Sequence, residues 1–424
     1  MTMTAAGARA GRRPAVAFVV AAVLLSALAT GIVIPVLPLL VKQLVGGSTA
    51  AAATWLGWFG ALFAVMQFFG QPLLGGLSDR YGRRPVLLIS MFGLAFDYVL
   101  MALAPTIGWL VLGRAVSGLA ASTSAAANAY IADVTAPERR AARFGYLMAA
   151  TGAGFILGPG VGGLLGQLGP RLPFWGAAGL CLVNGIFGLF VLPESLARDR
   201  RAPFSLKIAN PLGALRLFAE TPGLARLAGV LFLYGLALQA TETIWVLYTG
   251  YRFHWGPALN GLSLVLFGLG SILVSMTLVR PAITWLGERG AMLAGLAFAV
   301  CSLLIAGLAP NGWLFLTAIP VGWLFNLFGP GVQGLMTARV TSSEQGRLQG
   351  ANGSLASVTT MIGPIFFAWV FARSLSDWSA FAPPGLAFYV SAAVMAAAFA
   401  LALGVSPRQK PPPPLHEGKP EALS

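Results

Sequence analysis

Apolar stretches of 18 or more residues recur along the whole length of the chain, beginning with AVAFVVAAVLLSALATGIVIPVLPLL (15–40). As a helix rising about 1.5 Å per residue, each is long enough to cross a hydrocarbon layer of roughly 30 Å. This feature sets the solvent as lipid and the element as a helix whose backbone groups bond to one another. Only 9% of the residues are charged and the mean hydropathy is +0.79. A soluble chain of this size needs far more charge.

Breaking the sequence at charged and Pro/Gly-rich punctuation predicts twelve spans, near 15–40, 55–76, 86–104, 109–131, 144–166, 174–193, 227–249, 261–279, 291–309, 313–336, 350–372 and 385–405. SALA (26–29) could pass for a signal-peptidase site, but the run continues unbroken to Leu40, so it is expected to remain a span. Placing the loops alternately, with the N-terminus inside, assigns 22 of the 27 Lys and Arg to one side. The other side receives four (Lys42, Arg171, Arg252 and Arg373), and Arg114 falls within a span. Basic residues favour cytoplasmic loops, so both termini are expected inside. The net charge of +14 is then topological and implies no nucleic-acid partner.

The expected organisation is a tail (1–14), six spans (15–193), a basic cytoplasmic loop (194–226), six more spans (227–405) and a disordered tail (406–424). Cys181 and Cys301 lie in apolar runs, and His254 and His416 stand far apart, so neither a disulfide framework nor a metal site is expected.

The two halves echo each other. YGRRPVLL (81–88) aligns with LGERGAML (286–293) at a shift of 205, as does Gly158-Pro159 with Gly363-Pro364. GWLVL (108–112) resembles GWLFL (312–316) at a shift of 204. Matches in nearly one register indicate an internal repeat, as in a transporter built from related halves around a midplane site. Thr284 stands where Asp79 would, so the second copy lacks the acid.

GGLSDRYGRRP (75–85), LVLGRAVSG (110–118), GAGFILGPGVGG (152–163) and GIVIPVLPLL (31–40) resemble the span 2–3 loop, span 4, span 5 and span 1 signatures of the major facilitator superfamily. The span 5 stretch is similar to that of its drug:proton antiporters. Longer strings, including SDRYGRRPVLLIS, FDYVLMA, IADVT and WVLYTGYRFHW, resemble the tetracycline-efflux proteins. The resemblance implies an all-α membrane fold of two six-helix bundles. It further implies export of a drug, most readily tetracycline carried as a Mg²⁺ chelate, in exchange for protons. The protein would work as a monomer in a bacterial-type inner membrane with no resident cofactor. A multidrug or metabolite exporter is the alternative, and a sugar or organic-acid importer a more distant one. No nucleotide-binding motif and no catalytic constellation is present, which argues against an ATP-driven pump or an enzyme.

The same resemblance makes Gly76, Asp79, Arg80, Gly82, Arg83 and Arg84 a conformational latch. Arg83 would pair with Asp133, and Asp79 would meet the positive end of the span 11 helix, near Ser354 or earlier, when the inside closes. In span 5, Gly154, Gly158 and Gly162 recur every four residues and form a smooth packing face, while Pro159 favours a kink and Gly163 completes the signature. Ionisable residues within spans are costly and mark functional positions, which singles out Asp97, Arg114 and Glu242 as proton-coupling candidates. Asp97 and Arg114 lie at similar depth in spans 3 and 4 and are expected to pair. Asn128, Gln239, Asn326 and Gln333 are candidate hydrogen-bonding groups for a drug. Phe63, Met66, Trp245, Phe328 and Met336 are candidate pocket walls. Well-known tetracycline exporters carry acids in spans 1 and 9 and a histidine in span 8. Here Ser26, Ala299 and Ser271 occupy those positions, which leaves Glu242 as the carboxylate of the second half.

Overall fold

The computed structural model describes residues 12–121, 123–201, 215–380 and 382–406. Residues 1–11, 202–214 and 407–424 of the expected tails and central loop lie outside them. Among the described residues eleven helices are long and apolar enough to cross a membrane, and a shorter apolar helix, Ile107–Ala120, supplies the first part of span 4. Spans 2, 3, 5 and 6 are Thr49–Tyr81, Arg83–Leu103, Pro137–Leu168 and Leu172–Val191. Spans 7, 8, 9, 11 and 12 are Leu224–Arg252, Pro257–Thr277, Val279–Leu308, Gln345–Leu375 and Leu386–Leu403.

Three spans are built from two helices each. Span 1 is Arg12–Val33 and Leu37–Leu44, span 4 is Ile107–Ala120 and Thr123–Val134, and span 10 is Gly312–Trp323 and Phe328–Thr337 around a 3₁₀ turn. Span 2 runs five or six residues beyond its apolar run at each end, and span 5 runs seven residues beyond at its start and two at its end. Hydropathy marks the lipid-facing depth, whereas a helix stops only where its hydrogen bonding is broken.

The duplication is visible in the backbone. Gly82 (φ 110°, ψ 161°) and Gly287 (φ 69°, ψ 171°) make the same kind of break, and both have the positive φ that favours glycine. Two residues on, Arg84 Nη2 donates to Leu189 O at 2.6 Å in the last turn of span 6. Arg289 Nη2 donates to Leu403 O at 2.7 Å at the end of span 12. Each arginine answers the negative end of a helix. Thr106 and Asn311, which precede spans 4 and 10, also share an extended conformation (φ −140° and −143°).

Within the first bundle span 1 packs on spans 5 and 6 and span 3 on spans 4 and 6. Within the second, span 12 packs on spans 7 and 9. The bundles meet through spans 2 with 11 and 5 with 8. A Cβ built on Gly57 would stand 2.7 Å from Ala368 Cβ, and one on Gly163 would stand 2.6 Å from Pro257 O. These contacts sit near the face that carries Lys42, Arg171 and Arg252. Helical periodicity places Gly75 on the face of Gly57, Gly145 and Gly152 on that of Gly163, and Gly346 and Gly353 on that of Pro364. A Cβ on any of these five would meet nothing within 4 Å. The bundles therefore touch at one end and part toward the basic face.

Candidate functional site

At the basic face, the 81–84 turn gathers charge from three other segments. Arg83 Nη1 donates to Asp79 Oδ1 at 2.6 Å and to Ser78 Oγ at 3.2 Å, and its Nε donates to Asp133 Oδ2 at 3.1 Å. Asp79 thus engages Arg83 of its own loop, and its side chain is half exposed in this open arrangement. Ser195 Oγ also donates to Asp133 Oδ2, at 3.1 Å. Sequence reasoning missed Glu194, just beyond span 6. Its Oε1 accepts from the backbone N–H of Arg83 at 2.8 Å and of Leu196 at 3.0 Å, and its Oε2 from the N–H of Arg84 at 3.3 Å. The carboxylate caps the exposed donors at the start of span 3. Gly82 leaves room for it, since a side chain there would collide with Glu194. The PE dipeptide at the end of an apolar run was the available signal, though nothing local to it points 111 residues back. Arg80 is exposed, its guanidinium 5.2 Å from the Tyr81 ring, and Gly76 lies in the last turns of span 2.

In span 5 the glycine face lies on span 1. A Cβ on Gly158 would fall 2.6 Å from Gly31 Cα, and one on Gly154 would fall 2.6 Å from Ala27 Cβ. Gly162 rests against Ile32, and Gly163 turns to span 8 instead. Pro159 is inside the helix, its carbonyl facing Gly261 of span 8. The seam therefore joins span 1 and the opposite bundle through one helix.

The expected Asp97–Arg114 pair does not form. Asp97 is 0% exposed, and among the described residues neither carboxylate oxygen has a hydrogen-bond partner. It faces Gly113: a Cβ there would stand 2.6 Å from Asp97 Oδ1. Arg114 is one residue further along, about 100° around the helix. That rotation places its guanidinium between spans 2 and 3, 5.8 Å from the Phe63 ring of span 2 and with Nη2 3.5 Å from Met101 Sδ of span 3, one turn from Asp97. Equal depth brings the two residues to one level, but helical phase leaves no direct ion pair between them among the described residues.

Arg114 instead lines a cavity of about 310 Å³ between the bundles, with Phe63 and Gln67 on the first bundle and Gln239, Glu242 and Thr360 on the second. That volume is at the lower edge of small-molecule sites, roughly 300–1,000 Å³. Gln239 Nε2 donates to Glu242 Oε2 at 3.2 Å, and no cation lies within salt-bridge distance of Glu242 among the described residues. Arg252, ten residues on, is about 15 Å away along the helix axis.

The other predicted pocket residues are elsewhere. Met66 packs on Gly118 of span 4. Trp245 points into the second bundle and donates to Ser263 Oγ at 3.0 Å. Asn326 donates to Trp323 O at 2.8 Å at the break in span 10. Gln333 accepts from Asn352 Nδ2 at 3.3 Å. Phe328 stacks on Tyr234 with ring centroids 3.8 Å apart, and Met336 is fully buried. Asn128 lines a separate hollow with Leu147 and Thr151. Gln67 and Thr360 were missed. Gln67 follows Phe63 by four residues on one helix face, which was the available signal. Among the described residues no group of three or more His, Cys, Asp or Glu could hold a metal ion.

The chain matches the model of the Major Facilitator Superfamily over residues 19–297 and 227–424. It is 38% identical over 375 residues to the class C tetracycline resistance protein of Escherichia coli, covering 88% of this chain and 92% of that one. It is 36% identical over 364 residues to the class G tetracycline resistance protein of Vibrio anguillarum, covering 84% and 90%. Among solved structures it is similar in fold to the nucleoside transporter NupG, with a TM-score of 0.73 and 16% identity over 92% of this chain and 99% of that one.

Proposed function

Because the chain belongs to the Major Facilitator Superfamily, we propose that it is a secondary exporter that carries a drug, tetracycline first, out of the cell in exchange for protons. The observation that carries this reading is the similarity to tetracycline resistance proteins along most of the chain. The face rich in Lys and Arg is cytoplasmic in this reading, with both termini inside a bacterial-type inner membrane. The cavity then opens inward, as loading of an exported drug requires. Rocking of the bundles about the spans 2–11 and 5–8 seams would expose it to the other side. Closure at the basic face would draw Asp79 away from Arg83 to the start of span 11.

Gln67, Arg114, Gln239, Glu242 and Thr360 would orient the drug, with the metal of a Mg²⁺ chelate travelling as part of the cargo. Asp97 would bind and release the coupling proton. A carboxylate buried without partners is far costlier charged than neutral, so its protonation follows its access to water. The protein would act as a monomer and as a carrier rather than an enzyme. A broader drug range is the second reading, favoured by Ala299 and Ser271 at two positions where tetracycline exporters carry titratable groups.

Tetracycline uptake with Mg²⁺ into inverted vesicles under an inside-acid gradient tests the proposal. Wild-type uptake that vanishes when the gradient is dissipated, and is lost in Asp97→Asn, is the expected result. No uptake with the protein well inserted would redirect the search to other drugs.

A further inference from the structure

Glu242 borders two cavities. One is the space between the bundles. The other is a chamber of about 110 Å³ inside the second bundle, lined by Trp245, Phe267, Ala299, Ser302 and Phe325 among others. Among the described residues Glu242 is the only charged side chain lining that chamber, and the only residue lining both spaces. Glu242 therefore stands on the wall shared by the two.

We propose that this chamber binds the ring-bearing end of an amphipathic organic cation, whose positive centre is held by Glu242. The inference deepens the exporter reading and rests on it. Three observations point the same way. First, size: the chamber is comparable to the roughly 150 Å³ apolar cavity known to admit benzene, so it takes a ring and leaves the rest of the ligand between the bundles. Second, lining: Phe267 and Phe325 stack at 5.8 Å, and Trp245 stands edge-on to Phe267 at 6.4 Å. Faces of aromatic rings attract cations as well as apolar groups. Third, charge: Glu242 has one neutral donor, Gln239, and no cation within reach among the described residues. A carboxylate so placed is stabilised by a bound cation more than by anything else on its wall. Arg114, on the far wall of the larger cavity, repels such a centre and sets its direction.

The test is binding of radiolabelled tetraphenylphosphonium to the purified full-length protein in detergent. Glu242→Gln is expected to weaken binding about tenfold or more by removing the charge. Ala299 lines the chamber but not the space between the bundles, so Ala299→Val and Ala299→Leu fill only the chamber. They should weaken binding progressively, by about tenfold or more for leucine. Should Ala299→Leu fail to fold, a Ser302→Cys protein in a Cys181→Ser, Cys301→Ser background supplies the second measurement. Tetraphenylphosphonium is expected to slow its alkylation by N-ethylmaleimide several-fold, and the effect should vanish when Glu242→Gln is added. Undiminished binding by a folded Ala299→Leu protein, or unslowed alkylation of Ser302→Cys, overturns the proposal and leaves the chamber to water. Absence of gradient-driven uptake of both tetracycline and tetraphenylphosphonium into vesicles, with these binding results intact, would instead remove the exporter reading and keep the chamber.

Discussion

A single glycine decides how Asp97 is housed. Gly113 gives up its side-chain volume to the carboxylate, and any Cβ there intrudes to 2.6 Å from Oδ1. Gly113→Ala should therefore lower stability by about 1–3 kcal/mol through overpacking, read as a fall in thermal midpoint in detergent. Asp97→Asn works in the opposite sense on stability. It keeps the shape and removes a buried charge that has no hydrogen-bond partner among the described residues. We expect a thermal midpoint at or above wild type together with loss of gradient-driven uptake. A midpoint several degrees lower would mean that the carboxylate holds the fold together rather than carrying protons. The sequence identifies Asp97 and Arg114 as the ionisable pair of spans 3 and 4, because hydropathy makes any charge at that depth conspicuous. It does not reveal that Asp97 faces Gly113 while the Arg114 guanidinium turns to Met101 and Phe63. A depth estimate tolerates an error of one residue, whereas an orientation turns by about 100° with it.

Between elements, the turn into span 3 shows how a helix terminus becomes an anchor. Its first donors are satisfied by the carboxylate of Glu194, which binds the end of span 6 to the start of span 3. Glu194→Ala should cost about 0.5–2 kcal/mol, the usual worth of an N-terminal cap. Hydrogen–deuterium exchange should locate that loss in the first turn of span 3, with the remainder of the first bundle unchanged. Exchange that rises evenly across the bundle would contradict a local cap. The repeat was legible because glycine and arginine at fixed spacing survive in both halves, and the structure gives each pair one backbone or hydrogen-bonding role. The cap was not legible, since its two parts come together only after four spans have packed. Cavity residues such as Gln67 and Thr360 were hidden for a related reason: in a helix that is apolar nearly all round, composition does not mark which face meets the other bundle.

The whole molecule is a pair of bundles packed together near one face. Packing is tight where Gly57 meets Ala368 and Gly163 meets Pro257, and absent around Gly75 and Gly346 at the opposite end. If transport requires the bundles to rock, the open end must close during each cycle, and span 2 must then approach span 11 there. The two positions lie 18 residues from the Gly57–Pro364 region, on matching helix faces and at matching depth. Cysteines at Gly75 and Gly346, in a Cys181→Ser, Cys301→Ser background, should thus come within disulfide range only in the closed arrangement. Oxidation is expected to trap that arrangement and reduce tetracycline uptake by about tenfold or more, with recovery on adding a reductant; either single cysteine should leave uptake unchanged. Added drug that binds in the open cavity should alter the rate of cross-linking before it alters the final yield, because it shifts the population from which closure starts. Efficient cross-linking with full transport would mean that this end is already closed throughout the cycle, and the hinge would have to be placed elsewhere.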